Sequence, residues 1–460
     1  RAMRGFTRPA PTPLAPAAGP VASTRSTRSC LESDAAAQAP AKPAPTISVS
    51  YALFTIVLTV PSRYHAYVTY YRSLQHSIDS DMNPRESDTL IIGGGIIGLS
   101  IAWRLARTGH RVIVLERGSA GGEASRMAAG MLAATAEVGY EEFDLYALCT
   151  DAVRRWPSFA SELEEDSGIS VDFRSQGTMV AARDPDAASA LRRAFEFQQE
   201  HGFEVSWLTR AEALDREPFL SPRIAAAVYA ADDHSVDNRA VTRALVAAIR
   251  ALGGRVEEET EVTDVLMDTQ GGDHRVHTAP GNADWSAGQI VLAAGAWSHD
   301  LAGLPEVARP PVRPVKGQIL TLRMEAPFRL EHVVRGTRAY LVPRTNGRLV
   351  VGATSEEMGF NTELTAGGLW SVLDGAWELV PGILDLPVME TSVGLRPGSR
   401  DHQPIVGWSD VPGLFVATGH YRHGVVLSSS TADAAANVLL GGDMPAIMHP
   451  FSPTRFRVEA

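Results

Sequence analysis

Cysteine is almost missing from this chain. Its 460 residues include two, Cys30 and Cys149. They lie far apart in unlike surroundings, so no disulfide framework and no thiolate metal site can be built from them. A reducing compartment is the simplest setting for such a sequence. Long apolar runs are missing too. Ile47 to Val60 is mainly apolar over 14 residues, short of the ~20 that a membrane-spanning helix needs. Positive charge is in deficit: the net charge is −11, and because residues 1–82 carry eight Lys or Arg against four Asp or Glu, the rest of the chain carries −15. An acidic body argues against nucleic acid as the main partner.

What is present is an ordinary globular composition, 45% hydrophobic and 21% charged, on a chain long enough for two or three domains. The first 82 residues stand apart. Arg1 to Pro45 is rich in Ala, Pro, Ser, Thr and Arg, has no acid before Glu32, and reads as disordered. With the apolar run after it, this extension reads as upstream sequence translated ahead of a start at Met82, as an organelle transit peptide, or as a membrane-touching anchor. The first of these is the reading adopted, with the transit peptide next.

The body is organised around Asp88 to Arg117. Thr89 to Ile92 is a short buried strand. Gly93, Gly95 and Gly98 form G-x-G-x-x-G, and Leu99 to Arg107 has helical spacing ended by Gly109. Arg111 to Leu115 is a second strand with Glu116 at its end. This is the β-α-β unit of a dinucleotide site. Gly93 permits the tight turn, Gly95 lets a pyrophosphate approach the backbone, and Gly98 lets the helix pack against the strands. Free N–H groups at the helix start face the phosphate, and Glu116 accepts from a ribose hydroxyl. Gly118 to Ala136 is rich in small residues, which suits either a tightly packed helix or something large and flat lying against the backbone.

Further along, helices are expected over Tyr140 to Gly168, from the Asp184-Pro185 cap to Gly202, after the Thr209-Arg-Ala-Glu212 capping box, over Arg239 to Leu252, from Thr365 to about Val380, and over Val425 to Leu440. Strands are expected at Phe173 to Ala182, Phe203 to Leu208, Ile224 to Ala230, Arg255 to Glu259 and Glu261 to Met267, with hairpin turns at Gly271-Gly272 and Pro280-Gly281. Gln289 to Ser298 is a buried strand running into Ala-Ala-Gly295, a second place where backbone can approach a cofactor. Lys316 to Arg323 alternates as a half-buried strand, Ala339 to Gly352 is a hairpin turning at Asn346-Gly347, and Glu390 to Arg396 and Leu414 to Thr418 are strands. The fold class is therefore α/β. A Rossmann-type dinucleotide-binding domain (87–135, 236–300 and 400–445) is interrupted by a mixed, strand-rich α+β substrate domain (136–235 and 301–399), and the junction is the default active site.

Seven motifs occur in order: Ile-Ile-Gly-Gly-Gly-Ile-Ile-Gly (91–98), Ala-Ala-Gly-Met-Leu (128–132), Pro-Val-Lys-Gly (314–317), Tyr-Leu-Val-Pro-Arg (340–344), Gly-Arg-Leu-Val-Val-Gly-Ala-Thr (347–354), Gly-Leu-Arg-Pro-Gly (394–398) and Gly-His-Tyr-Arg-His-Gly (419–424). With these the chain resembles the FAD-dependent D-amino-acid oxidase superfamily, and within it the glycine oxidases of thiamine biosynthesis. The resemblance implies non-covalent FAD. Ile96, Ile97, Glu116, Arg117, Ala124, Ser125, Ala129, Gly130 and Met131 match family FAD contacts, and Val262 does so more loosely. His420, Tyr421, Arg422, His423, Gly424, Val425 and Val426 match the stretch beside the flavin pyrimidine ring, where a helix start suits negative charge on reduced flavin.

The resemblance also implies that Arg396 takes the substrate carboxylate in a bidentate pair, that Tyr340 orients the substrate and that Arg422 lies near it. On the residues alone, an Arg before Pro-Gly anchors a turn as readily, and a Tyr in a hairpin is usually packing. His420 and His423 read as positioning or packing residues, and no general base is assigned. The sequence departs from the glycine oxidases at Arg338, where they have His, and at Ser355, where Met can occur. Both residues bear on substrate breadth.

The implied reaction is oxidation of glycine, sarcosine or a small D-amino acid to an imine, with oxygen as acceptor and peroxide as product. Hand-over to a thiazole synthase, an oligomer of identical subunits and a cytoplasmic setting are further expectations; a genuine transit peptide would send the protein to an organelle instead. Rival readings are an N-methyl amino acid oxidase, a D-amino-acid dehydrogenase passing electrons to a quinone, an NAD-dependent dehydrogenase, and a non-catalytic FAD-binding protein. A covalent flavin would need a cysteine in the C-terminal half, which is absent.

Overall fold

Strand β1 (Glu86–Ile92) turns through glycines into helix α1 (Ile96–Arg107) and returns as β2 (Val112–Leu115), the register pairing Ile92 with Leu115 in parallel. The computed structural model describes residues 85–457, apart from 138, 140, 141, 269, 271, 280 and 282. The readings made above for residues 1–82, for the helix start at Tyr140, and for Gly271 and Pro280 in the turns lie outside the described residues. All described residues fall within one compact unit, Met82–Ala460.

After β2 come the short helix α2 (Glu123–Met127), strand β3 (Met131–Leu132) and the long helix α3 (Phe143–Ser167). The chain then leaves through β4 (Thr178–Ala182), α4 (Pro185–Glu200), β5 (Val205–Thr209), α5 (Arg210–Arg216) and β6 (Ala226–Ala230), and comes back through β7 (His234–Ser235) and α6 (Asn238–Ala251). Four strands follow: β8 (Arg255–Glu257), β9 (Glu261–Leu266), β10 (His274–Ala279) and β11 (Ala283–Leu292). A second excursion comprises β12 (Val312–Arg323), β13 (Val333–Arg335), β14 (Tyr340–Pro343), β15 (Arg348–Gly352), α7 (Ala366–Leu379) and β16 (Val388–Ser399), and β17 (Ile405–Trp408), β18 (Leu414–Thr418) and α8 (Gly424–Leu439) complete the order.

Two eight-stranded sheets result. The first runs β17-β18-β11-β1-β2-β8, with β9 and β10 attached through β11. Its strands β8, β2, β1, β11 and β18 are mutually parallel, so their C-terminal ends share one edge, where α/β sheets bind ligands. The second sheet runs β16-β12-β15-β14-β13-β4-β6-β5. The main core packs α1, α3, α6 and α8 on the first sheet around fully buried Trp103, Trp156 and Phe159. A second core fills the space between α7 and strands β12 to β15.

Local chemistry sets the helix starts. Asp184, Thr209, Asp237 and Thr365 each accept a backbone N–H as the N-cap, Thr209 and Glu212 closing a reciprocal capping box. Several strands differ from expectation: β4 starts at Thr178 rather than Phe173, and β11 runs from Ala283 and ends at Leu292, ahead of a 3-10 turn at Gly295–Trp297. β12 begins at Val312 and is buried along almost its whole length rather than on alternate residues, because α7 covers one face and the site cavity meets the other. β16 continues through Pro397 and Gly398 to Ser399, so Arg396 belongs to the strand and not to a turn after it. Proline is tolerated there because β16 is the sheet edge. Among the described residues, no helix is long and apolar enough to cross a membrane.

Candidate active site

A cavity of about 600 Å³ lies between the two sheets. Its first wall is made by the ends of parallel strands: Ile92-Gly93 after β1, Leu115-Glu116 after β2, Ala293 after β11 and Ala417-Thr418 at β18. Gly93 sits at φ +110° and a Cβ there would lie 2.5 Å from the Ala293 carbonyl oxygen, so the turn and the close strand contact both require glycine. Ser125 Oγ accepts from the Ile96 N–H at 2.9 Å at the start of α1. Glu116 accepts from the Gly94 N–H at 2.8 Å and the Gly118 N–H at 2.9 Å, one on each carboxylate oxygen. Each oxygen keeps a lone pair for a ribose hydroxyl.

The small-residue segment is not one tightly packed helix. It is α2 followed by extended chain, and Ala124, Ser125, Ala129, Gly130 and Met131 all line the cavity. Two residues that sequence reasoning missed hold it there. Buried Arg344, last residue of the Tyr-Leu-Val-Pro-Arg motif, donates to the Ala129 carbonyl. Asn238 Nδ2 donates to the Ser125 carbonyl at 2.7 Å.

At the far end, α8 starts without a side-chain cap, and Gly424 and Val425 of its first turn line the cavity. Unspent N–H groups there favour an anionic ligand edge. Val262, Gly295, Arg117, Ile97, His420, Tyr421 and Arg422 also line the cavity. The Arg117 guanidinium lies 3.7 Å from the centroid of Trp297, another lining residue. Gly98, in the first turn of α1, lets the helix pack on β1 as expected: a Cβ there would meet the Gly93 carbonyl oxygen at 2.1 Å. Two residues expected at the cofactor stand behind the wall instead. His423 turns its Nδ1 to Cys149 Sγ at 3.9 Å, and Val426 offers its carbonyl to Trp156 Nε1 at 2.9 Å. Burial pushes the His420 pKa down to about 3, so its imidazole is neutral; Nε2 pairs with Thr431 Oγ1 at 3.1 Å.

The second wall carries the charged end. Arg396 projects from β16 across β12, and its Nη1 donates to the carbonyls of Thr354 at 3.1 Å and Lys316 at 3.4 Å. Gly317 makes room: a Cβ there would lie 2.5–2.7 Å from the guanidinium. Tyr340 lies over Gly352 in the same way, its oxygen 2.5 Å from where a Cβ would stand, and it hydrogen-bonds with Arg396. Burial raises the Tyr340 pKa against the opposing charge of Arg396, so the phenol keeps its proton. Neither Arg396 nor Arg422 has a carboxylate partner among the described residues. Glu137 and Arg335, missed by sequence reasoning, pair on the same wall. Burial alone would raise the Glu137 pKa, but the Arg335 charge brings it below the ordinary carboxylate value. Of the two departures, Arg338 lines the rim with its guanidinium held by Asp374 at 2.6 Å and Glu378 at 3.4 Å. Ser355 is off the wall, its Oγ 3.4 Å from Tyr421 Oη.

A parallel sheet presenting a glycine turn, a terminal acid and two helix starts to one cavity defines a dinucleotide-binding enzyme, and an arginine with no carboxylate partner among the described residues faces that cavity from the second sheet. Residues 88–438 match the FAD dependent oxidoreductase family (DAO). The chain belongs to this family, and its cofactor is FAD. It is 35% identical to the glycine oxidase of Geobacillus kaustophilus over 80% of this chain and 97% of that protein. The crystal structure of glycine oxidase from that organism superposes with a TM-score of 0.75 at 34% identity, covering 81% of this chain and all of the other. The bifunctional protein ThiO/ThiG of Synechocystis is 35% identical over 80% of this chain, which spans 54% of that longer protein. An iminodiacetate oxidase from Chelativorans superposes with a TM-score of 0.71 at 26% identity over 79% of this chain.

Proposed function

We propose that the protein oxidises glycine, with sarcosine or small D-amino acids as further substrates, to the imine, which water converts to an α-keto acid and an amine, glyoxylate and ammonia in the case of glycine. The observation that carries this reading is the Arg396 guanidinium, without a carboxylate partner among the described residues and laid on Gly317 in the cavity wall. The identity to glycine oxidases over most of the chain supports it. Bound FAD would take a hydride from the substrate α-carbon and give two electrons to oxygen as hydrogen peroxide. Arg396 binds the carboxylate by its planar fork, Tyr340 orients the substrate as a neutral phenol, and Arg422 adds positive potential at the rim. The amine enters unprotonated. Positioning is the main contribution of the protein.

The cofactor would be held by Gly93, Gly95, Ile96, Ile97, Glu116, Arg117, the 124–131 segment and the α8 start, with the cofactor and substrate domains divided as the sequence reading has them. Imine hand-over to a thiazole synthase fits the joining of ThiO to ThiG in the bifunctional relatives. A cytoplasmic assembly of identical subunits completes the reading. The test is the visible spectrum of the purified protein with glycine, sarcosine and D-alanine in turn. Bleaching of a yellow protein by glycine without air, with peroxide released in air, is the expected result. A yellow protein that none of the three bleaches overturns the substrate assignment.

A further inference from the structure

Lys316 is 1% exposed and Gln318 is fully buried, although both carry polar side chains in the middle of a strand. They share the face of β12 opposite Gly317, so neither touches the cavity. What they touch is the segment after β15. Lys316 Nζ donates to the Glu363 carbonyl at 2.5 Å and lies 3.5 Å from Asn361 Oδ1 and 4.0 Å from Glu356 Oε2. Gln318 Nε2 donates to Glu356 Oε1 at 2.9 Å and to Thr365 Oγ1 at 3.0 Å, while its Oε1 accepts from the Thr365 N–H at 2.9 Å. Glu356 Oε1 accepts from Thr354 Oγ1 at 2.5 Å, and Thr354 Oγ1 accepts from the Gln318 N–H at 2.9 Å. Gly368 leaves the space that Gln318 fills, since a Cβ there would lie 2.3 Å from Nε2.

Burying a lysine away from the reaction is costly unless it is compensated. Here the compensating groups, Asn361 Oδ1, the Glu363 carbonyl and Glu356, lie on the segment that begins at Thr354. Thr354 and Lys316 supply the two carbonyls that hold Arg396, and Lys316 and Glu356 exchange backbone hydrogen bonds at 2.9 and 3.0 Å. We propose that Lys316, Gln318 and Glu356 are positioning residues that fix the Thr354 and Lys316 carbonyls and through them the Arg396 fork for the substrate carboxylate. This rests on the carboxylate role given to Arg396. The geometric logic is that a bidentate clamp loses its match when one end of its support shifts by an ångström.

The test uses the FAD-loaded protein and the variants Lys316→Met, Glu356→Gln and Arg396→Lys. KM and kcat for glycine are measured, with the Kd of acetate, a carboxylate without an amine, read from the flavin absorbance. Lys316→Met is expected to raise KM and the acetate Kd together by about tenfold with kcat changed less than threefold, and Lys316→Arg to restore part of the loss. Glu356→Gln, which keeps the acceptor for Thr354, is expected to give a smaller parallel rise and stands in if Lys316→Met fails to fold. Wild-type KM and acetate Kd in the folded variant overturn the proposal, as does a fall in thermal stability with neither constant moved. If acetate binding survives Arg396→Lys, the role of Arg396 itself fails; if it is lost there but unmoved in Lys316→Met, only the positioning claim fails.

Discussion

Gly317→Ala tests the site with a single methyl group. Gly317 is not among the residues with positive φ, so alanine fits the backbone and the strand should form. The new Cβ would stand 2.5 Å from Arg396 Nη2 and 2.6 Å from Nη1. Ordinary contact begins near 3.4 Å, so the guanidinium must rise by about 0.9 Å. The Nη1 bond to the Thr354 carbonyl, now 3.1 Å, would stretch to about 4 Å and be lost. Losing a hydrogen bond to a charged group costs roughly 1.5–3 kcal/mol, which at about 1.4 kcal/mol per factor of ten gives a KM for glycine raised roughly 10- to 100-fold. The assay is peroxide release against glycine concentration, with the flavin spectrum as a control for cofactor retention. A KM within twofold of wild type, in a yellow folded protein, would refute the placement of Arg396 in the substrate site.

Gly98→Ala should act on the cofactor instead: its Cβ would meet the Gly93 carbonyl oxygen at 2.1 Å and Ile91 Cγ2 at 3.2 Å. Backbone cannot swing aside, so α1 is pushed off β1 at a cost of about 1–3 kcal/mol, seen as a lowered Tm and a fall in FAD bound per chain. Asp233 gives a pH test. It is buried, accepts from the Thr135 and Ala136 N–H groups at 2.9 Å each, and burial pushes its pKa up to about 7 from 3.8. The folded state holds the extra proton between those values, so its stabilising contribution is full below pH 3.8 and is lost as pH rises through about 7, on the order of 4 kcal/mol in all. Tm should therefore fall more between pH 5 and pH 8 in the wild type than in Asp233→Asn, and parallel curves would remove Asp233 as the titrating group.

The dinucleotide half was legible because its signals are local. The glycine spacing and the N-caps act within a few residues, Glu116 stands at the end of the same β-α-β unit, and they fold as read. The substrate end was legible only through resemblance, since an isolated Arg-Pro-Gly looks like a turn. Pro397 hid the continuation of β16, because the sequence does not display the edge position at which a strand tolerates proline. Glu137 and Arg335 are 198 residues apart, and nothing in either neighbourhood announces the other. Arg344 was quoted as the end of a motif without a job. Its job, holding the Ala129 carbonyl, appears only when β14 is laid beside the 128–132 segment. His423 and Val426 match the family stretch beside the flavin, yet His423 faces Cys149, in keeping with its packing reading, and Val426 gives its carbonyl to Trp156.

The order of strands in the first sheet has a consequence for the newborn chain. β1 and β18 flank β11, and some 320 residues separate the end of β1 at Ile92 from the start of β18 at Leu414. At roughly 5–20 residues per second on the ribosome, the glycine turn waits on the order of 20–60 s for the strand and helix that complete its pocket. Throughout that time the apolar faces of α1 and α3, later covered by α8, have no neighbour to hide against. A transcript cut short before α8 would yield a polypeptide that displays the nucleotide motif and cannot retain the nucleotide.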